Sequence, residues 1–256
     1  MFTLSFSKVY YSKVEPYEVR DISSNVSGVV LHINESMIGE TLTSKEFISI
    51  DAKLDKIELV YTKDKLQYSR AMVKVNENIL NNLEKSLDKK RINYKKVESL
   101  KTKSSMEKDR EFHDLISSEN QFLNIQKEIN SLKVQVTDLK LRKAFLTRSI
   151  DDKRVRAKGY TLYSILVKPG QVVGLSTPLA KVADISKAKL TIYLDEEDVK
   201  DAKNRVIFLD GVKTTYKISR VLNIADSKNI SKYMAQIIIK SPKVFSKLVK
   251  IELDAK

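Results

Sequence analysis

The sequence predicts an elongated α+β protein in which an antiparallel α-helical coiled-coil hairpin is inserted into a split β-domain and is followed by a small β-barrel. Three observations predict this fold class. Two long segments carry apolar residues at intervals of seven, and a short polar stretch separates them. No Pro occurs between residues 53 and 168, and no Gly between residues 40 and 158. On both sides of this region, short β-branched runs alternate with Gly, Ser and Pro turn signals.

The N-terminal segment, residues 1–20, has two interpretations: a remnant of an export signal, or a strand of the barrel. Its start, Met1–Ser7, is weakly apolar but lacks the basic region and the full apolar region of a complete signal peptide. Residues 21–53 are predicted as the first half of the split β-domain. Gly28 and Gly39 fall between the apolar runs of this half, where we expect a turn with positive φ or a close backbone approach.

Residues 54–150 are predicted as the hairpin, with its tip near residues 101–105. The first arm repeats its apolar residues every seven positions, and two companion residues extend the stripe: Leu59, Leu66, Val73, Leu80, Leu87 and Tyr94, with Leu83 and Val97. Three other companion positions are polar: Ser69, Asn76 and Lys90. We expect these polar residues to weaken the seam locally and to help fix its register.

The second arm carries the more complete stripe and is predicted to be the stronger one. Its seam residues are Leu115, Phe122, Ile129 and Val136, accompanied by Ile125, Leu132, Leu139 and Leu146. Each stripe is too narrow to be stable alone, so the two arms are expected to cover each other. At a rise of ~1.5 Å per residue, each arm would extend roughly 65 Å.

Residues 151–186 are predicted as the second half of the β-domain, and residues 187–256 as the β-barrel. A tight turn is expected at Lys168–Gln171, where Pro and Gly stand between apolar pairs. The acidic run Asp195–Asp198 is interpreted as a solvated loop, since consecutive carboxylates on a strand cannot all face one site. The later segments alternate in the manner of short strands.

Composition narrows the functional classes. The formal charge of +14 suits an acidic partner, an anionic membrane surface or nucleic acid, or it reflects a solvated helical surface. Without an aromatic and basic platform or zinc-finger spacing, no nucleic-acid partner is predicted. The chain has no Cys, and His32 and His113 are interpreted as ordinary surface residues. We therefore expect no catalytic residues, no metal and no cofactor, and hence no enzyme.

A set of short motifs on both sides of the predicted hairpin carries a family resemblance. They are Val26–Val30, Gly39–Leu42, Ile50–Asp51, Val167–Val173, Pro178–Leu179, Ala183–Asp184 and Leu190, followed by Asp195–Val199. In this order around a coiled coil, they resemble the HlyD-like membrane fusion proteins, the periplasmic adaptors of tripartite efflux pumps and type I secretion systems. The resemblance covers residues 15–256 and implies that both β-halves form one lipoyl/biotinyl-like domain.

Two points qualify this resemblance. The family usually has a Gly at the first turn of the domain, where this chain has Asn34-Glu35-Ser36. A true biotinyl or lipoyl carrier is not predicted, because the helical hairpin occupies the place of the modifiable lysine. No carrier-type Met-Lys-Met or Asp-Lys-Ala turn is present either.

The resemblance also implies a docking site at the hairpin tip. The family pattern of Arg, Leu, Ser and an acidic residue falls on Asn93, Val97, Ser104 and Asp109, so the Arg is lost and Val replaces Leu. We expect Lys101 and Lys103 to supply the missing cation, with the small side chains of Ser104 and Ser105 allowing close approach. The alternative is that these residues merely cap two helices.

The function implied by the resemblance is that of a periplasmic adaptor associated with the cell envelope. Its expected partners are an inner-membrane transporter of RND or ABC type, an outer-membrane channel, and further copies of itself in a trimeric or hexameric ring. No apolar run approaches the ~20 residues of a membrane-spanning helix. The alternative is a cytoplasmic or peripheral coiled-coil scaffold that binds an acidic partner.

Overall fold

The structure, a computed structural model, describes residues 8–225 and 231–254. The chain divides into two compact units, a helical unit of Ala52–Lys153 and a β-unit formed by the chain on both sides of it. Met1–Ser7, which one interpretation assigns to a remnant of an export signal, lies outside the described residues. The predicted α+β fold class with a long helical hairpin is confirmed.

The helical unit consists of α1, Lys53–Ser99, and α2, Ser105–Asp152. Three ion pairs join the two helices, Glu58 with Arg142, Glu77 with Lys133 and Arg91 with Glu119. Later residues of α1 pair with earlier residues of α2, as an antiparallel arrangement requires. Four apolar seam residues of α2 are buried, against two of α1: Ile129, Leu132, Val136 and Leu146, against Leu66 and Leu87. The second arm therefore contributes more of the buried apolar seam than the first, as predicted.

Polar side chains interrupt this seam. Thr62, Ser69, Asn76 and Ser118 are all buried between the helices. Ser118 Oγ donates to the backbone carbonyl of Asp114 at 3.0 Å, which satisfies its hydroxyl within α2. The amide nitrogen of Asn76 is buried without a hydrogen-bond partner among the described residues. Burial of this unsatisfied amide at Asn76 therefore lowers the stability of the seam.

The β-unit contains thirteen strands in the part of the chain that the structure describes. They are β1 Lys8–Lys13, β2 Glu15–Ser23, β3 Gly28–Ile33, β4 Ile48–Ile50, β5 Arg154–Val155, β6 Thr161–Ile165, β7 Val172–Val173, β8 Pro178–Leu194, β9 Val206–Leu209, β10 Val212–Lys213, β11 Ile218–Ala225, β12 Tyr233–Lys240 and β13 Leu248–Asp254. A short helix, α3, spans Glu196–Val199, and 3-10 turns span Glu35–Met37 and Ala202–Asn204.

One sheet joins the strands that precede the helical hairpin to those that follow it. Its order is β5-β4-β3-β7, so β4 pairs with β5 and β3 pairs with β7, both antiparallel. A buried cluster draws side chains from both sides of the hairpin: Val30, Leu42, Phe47, Ile48, Ile50, Val155, Leu162, Val167, Val173, Leu179, Ala180 and Val182. The two flanks therefore share one core, although about a hundred residues separate them in sequence.

The long strand β8 belongs to a second sheet, and its side chains contribute to this core and to a further buried cluster. It pairs with β2, β6 and β12, giving a sheet of order β11-β12-β8-β2 with β6 also bonded to β8. The predicted domain boundary between residues 186 and 187 falls inside this continuous strand. The remaining sheet has the order β1-β13-β9-β10 and packs around a second buried cluster that includes Leu190, Ile192, Ile237 and Ile251.

The expectations for Gly28 and Gly39 are confirmed, for two different reasons. Gly39 has φ +88°, which L side chains rarely adopt. Gly28 has no such angle, but a Cβ at this position would lie 2.7 Å from Cγ2 of Ile50. The first glycine is needed for its backbone angle and the second for a close approach between β3 and β4.

The interpretation of Asp195–Asp198 as a solvated loop is wrong at Asp198. Residues 196–199 form one helical turn, so successive side chains rotate instead of alternating, and Asp198 turns inward while Glu196 and Glu197 stay exposed. Arg205 Nη2 lies 2.9 Å from Oδ1 of Asp198, and Lys8 Nζ lies 2.7 Å from Oδ2. This carboxylate therefore ties β1 to the segment that leads into β9.

Candidate functional site

The hairpin tip, defined as residues 89–110, contains every residue predicted to dock a partner. Helix α1 ends at Ser99, and its last turn is closed by two hydrogen bonds. Ser99 Oγ donates to the Lys96 carbonyl at 2.8 Å, and the Leu100 N–H donates to the Val97 carbonyl at 3.2 Å. Lys108 Nζ reaches back from α2 and donates to the Glu98 carbonyl at 2.9 Å. A cation thus sits at the negative end of the α1 dipole.

Helix α2 begins with a capping box. Ser104 Oγ accepts from the Glu107 N–H at 3.3 Å, and Glu107 Oε2 accepts from the Ser104 N–H at 3.1 Å. Lys103 Nζ adds a salt bridge to Glu107 Oε1 at 3.0 Å. The hydrogen bond from Lys103, together with those from Ser104, lowers the pKa of the Glu107 carboxyl. These contacts fix the direction in which α2 leaves the tip.

The predicted docking residues are therefore not equivalent. Ser104 forms the capping box with Glu107, and Lys103 is paired with the same Glu107, so the capping interpretation applies to both. The others remain on the surface, because Val97 is half-buried and four residues are exposed: Asn93, Lys101, Ser105 and Asp109. The structure places all seven within about two helical turns of the connection between α1 and α2.

Side-chain contacts between α1 and α2 hold the tip together on the hairpin side of the connection. Arg91 Nη2 lies 3.0 Å from Oε1 of Glu119, so this guanidinium forms an ion pair with α2. The rings of Tyr94 and Phe112 lie 5.8 Å apart across the seam. Both contacts are local, and they leave the outward faces of the tip uncovered.

The hairpin tip is strongly basic. It contains nine Lys or Arg and three Asp or Glu, a difference of +6. Four of the nine cations bind within the hairpin: Lys90, Arg91, Lys103 and Lys108. The other five have no hydrogen-bond or ion-pair partner in the described part of the chain: Lys89, Lys95, Lys96, Lys101 and Arg110. The tip therefore carries unneutralised positive charge.

Sequence reasoning missed four residues at the tip. Glu107 completes the capping box, and the Ser-x-x-Glu spacing from Ser104 predicts this role from the sequence. Lys108 had no such signal, because its acceptor belongs to the other helix. Leu100 is 46% exposed and Met106 is 80% exposed, so the tip also presents apolar surface.

A second surface runs along α1, away from its seam with α2. It consists of five exposed side chains, which we call the outer stripe: Tyr61, Tyr68, Met72, Val75 and Ile79. Their spacing of seven, four, three and four repeats the heptad pattern of the buried seam. Their exposed fractions range from 40 to 68%. Such a regular apolar stripe on an exposed helix face is a surface against which another helix can pack.

No protein-family model and no curated protein sequence matches this chain. Solved structures do. MacA from Actinobacillus actinomycetemcomitans has a TM-score of 0.74 at 18% identity, over 98% of this chain and 79% of that one. A MacA-MexA chimera with the α-hairpin of Pseudomonas aeruginosa MexA has a TM-score of 0.66 at 15% identity, over 99% and 83%. The membrane fusion protein Spr0693 from Streptococcus pneumoniae R6 has 0.56 at 10%, over 98% and 100%.

These likenesses confirm the predicted resemblance at the level of the fold. This chain shares its fold with these solved structures, one of which is a membrane fusion protein. The three structural matches cover nearly the whole of this chain, although the sequence identities are only 10 to 18%.

Proposed function

We propose that this chain is a periplasmic adaptor of the membrane fusion protein type, without enzymatic activity or cofactor. In this proposal it bridges an inner-membrane transporter of RND or ABC type and an outer-membrane channel, for efflux or secretion across the cell envelope. The observation that carries the proposal is the long hairpin with an exposed, basic tip, in a fold shared with MacA. A pair of helices each nearly 50 residues long builds reach and contact surface.

The hairpin tip is the proposed contact with the channel. Its uncovered side chains include a cation at Lys101, small polar groups at Asn93 and Ser105, and the apolar side chains of Leu100 and Met106. Ser104 and Lys103 support this contact indirectly, by fixing the start of α2 through the capping box. With a charge of +6 at the tip, the partner surface is expected to be acidic.

The outer stripe is the proposed contact between copies of the chain. Its five apolar side chains run along α1 with heptad spacing, which suits side-by-side packing of helices from neighbouring copies. A trimeric or hexameric ring would cover the stripe on each copy. Within residues 8–225 and 231–254, no helix has the length and apolar character to cross a membrane.

Site-specific photocrosslinking in intact cells tests the tip contact. A photoreactive amino acid at Lys101 or Ser105 should trap the outer-membrane channel. The same residue at Lys63, exposed near the other end of α1, should not. If neither tip position traps the channel while the transporter still co-purifies with the adaptor, the tip contact is wrong.

Protease accessibility in cells tests the alternative function. The free lysines of the tip would also suit a cytoplasmic or peripheral scaffold that binds an acidic protein. A periplasmic adaptor should resist external protease in intact cells and become sensitive when the outer membrane is opened. Protection that persists until the inner membrane is lysed would favour the scaffold.

Sedimentation tests the contact between copies. Tyr68→Glu with Val75→Glu places two charges in the outer stripe and should shift the protein from ring to monomer. Lys63→Glu with Arg70→Glu changes two exposed residues of the same helix outside the stripe and serves as the control. An unchanged sedimentation coefficient in the stripe variant would remove the stripe from the proposed interface.

A further inference from the structure

A cleft of about 690 Å³ lies in the β-unit, against strands β2, β6 and β8. Its floor is one face of the sheet, because side chains alternate along β8: Ala180 and Val182 point into the core, whereas Lys181, Ala183 and Ile185 line the cleft. The residues paired with Ala183 on the adjacent strands, Val19 on β2 and Thr161 on β6, continue this floor on both sides. The volume is within the range of ~300 to 1,000 Å³ that small-molecule sites occupy.

The lining of the cleft is mostly apolar. Val19 on β2, Ile38 beside the first 3-10 turn and Tyr163 on β6 line it and are 54, 46 and 66% exposed. Phe245, from the loop before β13, forms part of the wall. These side chains come from four separate segments, so the apolar surface is a feature of the folded β-unit. Apolar side chains gathered in a concave surface favour a ligand that covers them.

The charges of the lining are unbalanced. Three lysines line the cleft, Lys13, Lys181 and Lys189, against a single carboxylate, Glu15, a difference of +2. None of the three lysines forms an ion pair with a residue that the structure describes. The cleft therefore favours an anionic ligand.

We propose that this cleft binds a long-chain fatty acid. The acyl chain would lie on Val19, Ile38 and Tyr163, and the carboxylate would pair with a lysine ammonium at one end of the cleft, that of Lys13 or that of Lys181. A small polyanion would leave the apolar floor uncovered, and an uncharged lipid would leave the lysines without a partner. The proposal does not depend on the adaptor function, because all of these residues belong to the β-unit and none belongs to the hairpin tip or the outer stripe.

The test uses cis-parinaric acid, a fatty acid whose fluorescence rises in an apolar environment. Titrated into the purified chain below its micelle concentration, it should bind saturably, and oleate should displace it. Lys13→Gln with Lys181→Gln should weaken binding by about tenfold or more, the loss expected for a charge-assisted contact. Lys200→Gln with Lys213→Gln changes two exposed lysines of the β-unit outside the cleft and should leave the affinity unchanged.

Two substitutions of exposed residues test the apolar part of the cleft. Val19→Glu and Ile38→Glu place a negative charge on the floor and should each weaken binding by about tenfold or more. A thermal melt of each variant separates loss of binding from loss of folding, and either variant alone suffices.

Four results would overturn the proposal. The first is binding that never saturates, and the second is equal affinity in the wild type and every cleft variant. The third is equal affinity for the methyl ester of the probe, which would remove the role of the lysines. If Val19→Glu instead dissociates an oligomer without affecting the probe, the cleft is a protein interface and the fatty-acid site is wrong.

Discussion

The ammonium nitrogen of Lys153 lies 2.9 Å from Oδ2 of Asp55, and this ion pair joins the two helices of the hairpin at the end opposite its tip. Ser149 Oγ donates to the same carboxylate oxygen at 2.7 Å. Asp55 belongs to the first turn of α1, and Lys153 is the residue that follows the end of α2. Side-chain exposures are only 10% for Lys153 and 22% for Asp55, so the pair is partly shielded from solvent.

This pair predicts a pH-dependent stability of the hairpin. Burial raises the pKa of Asp55, but hydrogen bonds from Lys153 and Ser149 outweigh burial and lower the pKa overall. The stabilisation is therefore present above the unfolded pKa of about 3.9 and is lost as pH falls through the lower folded pKa. Asp55→Asn should reduce the free energy of unfolding at neutral pH by roughly 1 to 3 kcal/mol.

Denaturant unfolding followed by far-ultraviolet circular dichroism, at a series of pH values, measures this effect. Asp64→Asn, at an exposed position of the same helix, is the matched control and should change little. The difference between Asp55→Asn and the wild type should shrink in acid. A difference that stays constant across the pH range would contradict the assignment to the Asp55 charge.

The unpaired amide of Asn76 predicts a stabilising substitution. Asn76 is only 8% exposed, and its amide nitrogen lacks a hydrogen-bond partner within the described residues. Asn76→Leu should raise the free energy of unfolding by about 1 to 2 kcal/mol, because it removes an unsatisfied polar group from the seam. Thermal melts compare it with Asn78→Leu on the exposed face of α1, where no gain is expected. A lower melting temperature for Asn76→Leu would show that the amide has a favourable role.

The buried carboxylate of Asp198 predicts a large loss of stability in the β-unit. Its side chain is 4% exposed and holds two cations, Arg205 and Lys8. Asp198→Ala would leave the guanidinium of Arg205, only 18% exposed, without its partner, and should cost about 3 kcal/mol or more. Glu197→Ala, on the exposed side of the same helical turn, is the control. Equal denaturation midpoints for the two variants would contradict the structural role of Asp198.

The close packing at Gly28 predicts that even one methyl group is harmful there. In Gly28→Ala the new Cβ would lie 2.7 Å from Cγ2 of Ile50, a buried residue, and should cost about 1 to 3 kcal/mol through overpacking. At Gly174 the nearest atom, Ser27 Oγ, would be 4.0 Å away, so Gly174→Ala is the matched control. Thermal melts of both variants measure the difference. Similar melting temperatures would mean that β3 and β4 separate easily.

Local patterns were sufficient to predict the helices. Leu66 and Leu87 in α1, and Ile129 and Val136 in α2, repeat at heptad spacing and are all buried. Periodicity predicts such positions because each helix needs only one covered stripe. The same reasoning failed at Asp198, where an acidic run in the sequence gives no sign that Lys8, 190 residues away, would meet it.

The candidate site was predictable only in part. The sequence placed the tip near residues 101–105, and the structure has its connection there, between Ser99 and Ser105. It did not separate the serine that caps α2 from the residues that stay exposed. That distinction depends on where the chain turns, because Ser104 can bind the Glu107 N–H only if α2 begins at Ser105.

The sequence by itself determined the order of elements: strands, two long helices of heptad pattern, then strands again. Tertiary structure alone decided which distant groups meet. It paired β4 with β5 across the hairpin, buried Asp198 between Lys8 and Arg205, and gathered Lys13 and Lys181 around one cleft. The physical reason is that helix periodicity reflects the solvation of a single segment, whereas ion pairs and clefts depend on the path of the whole chain.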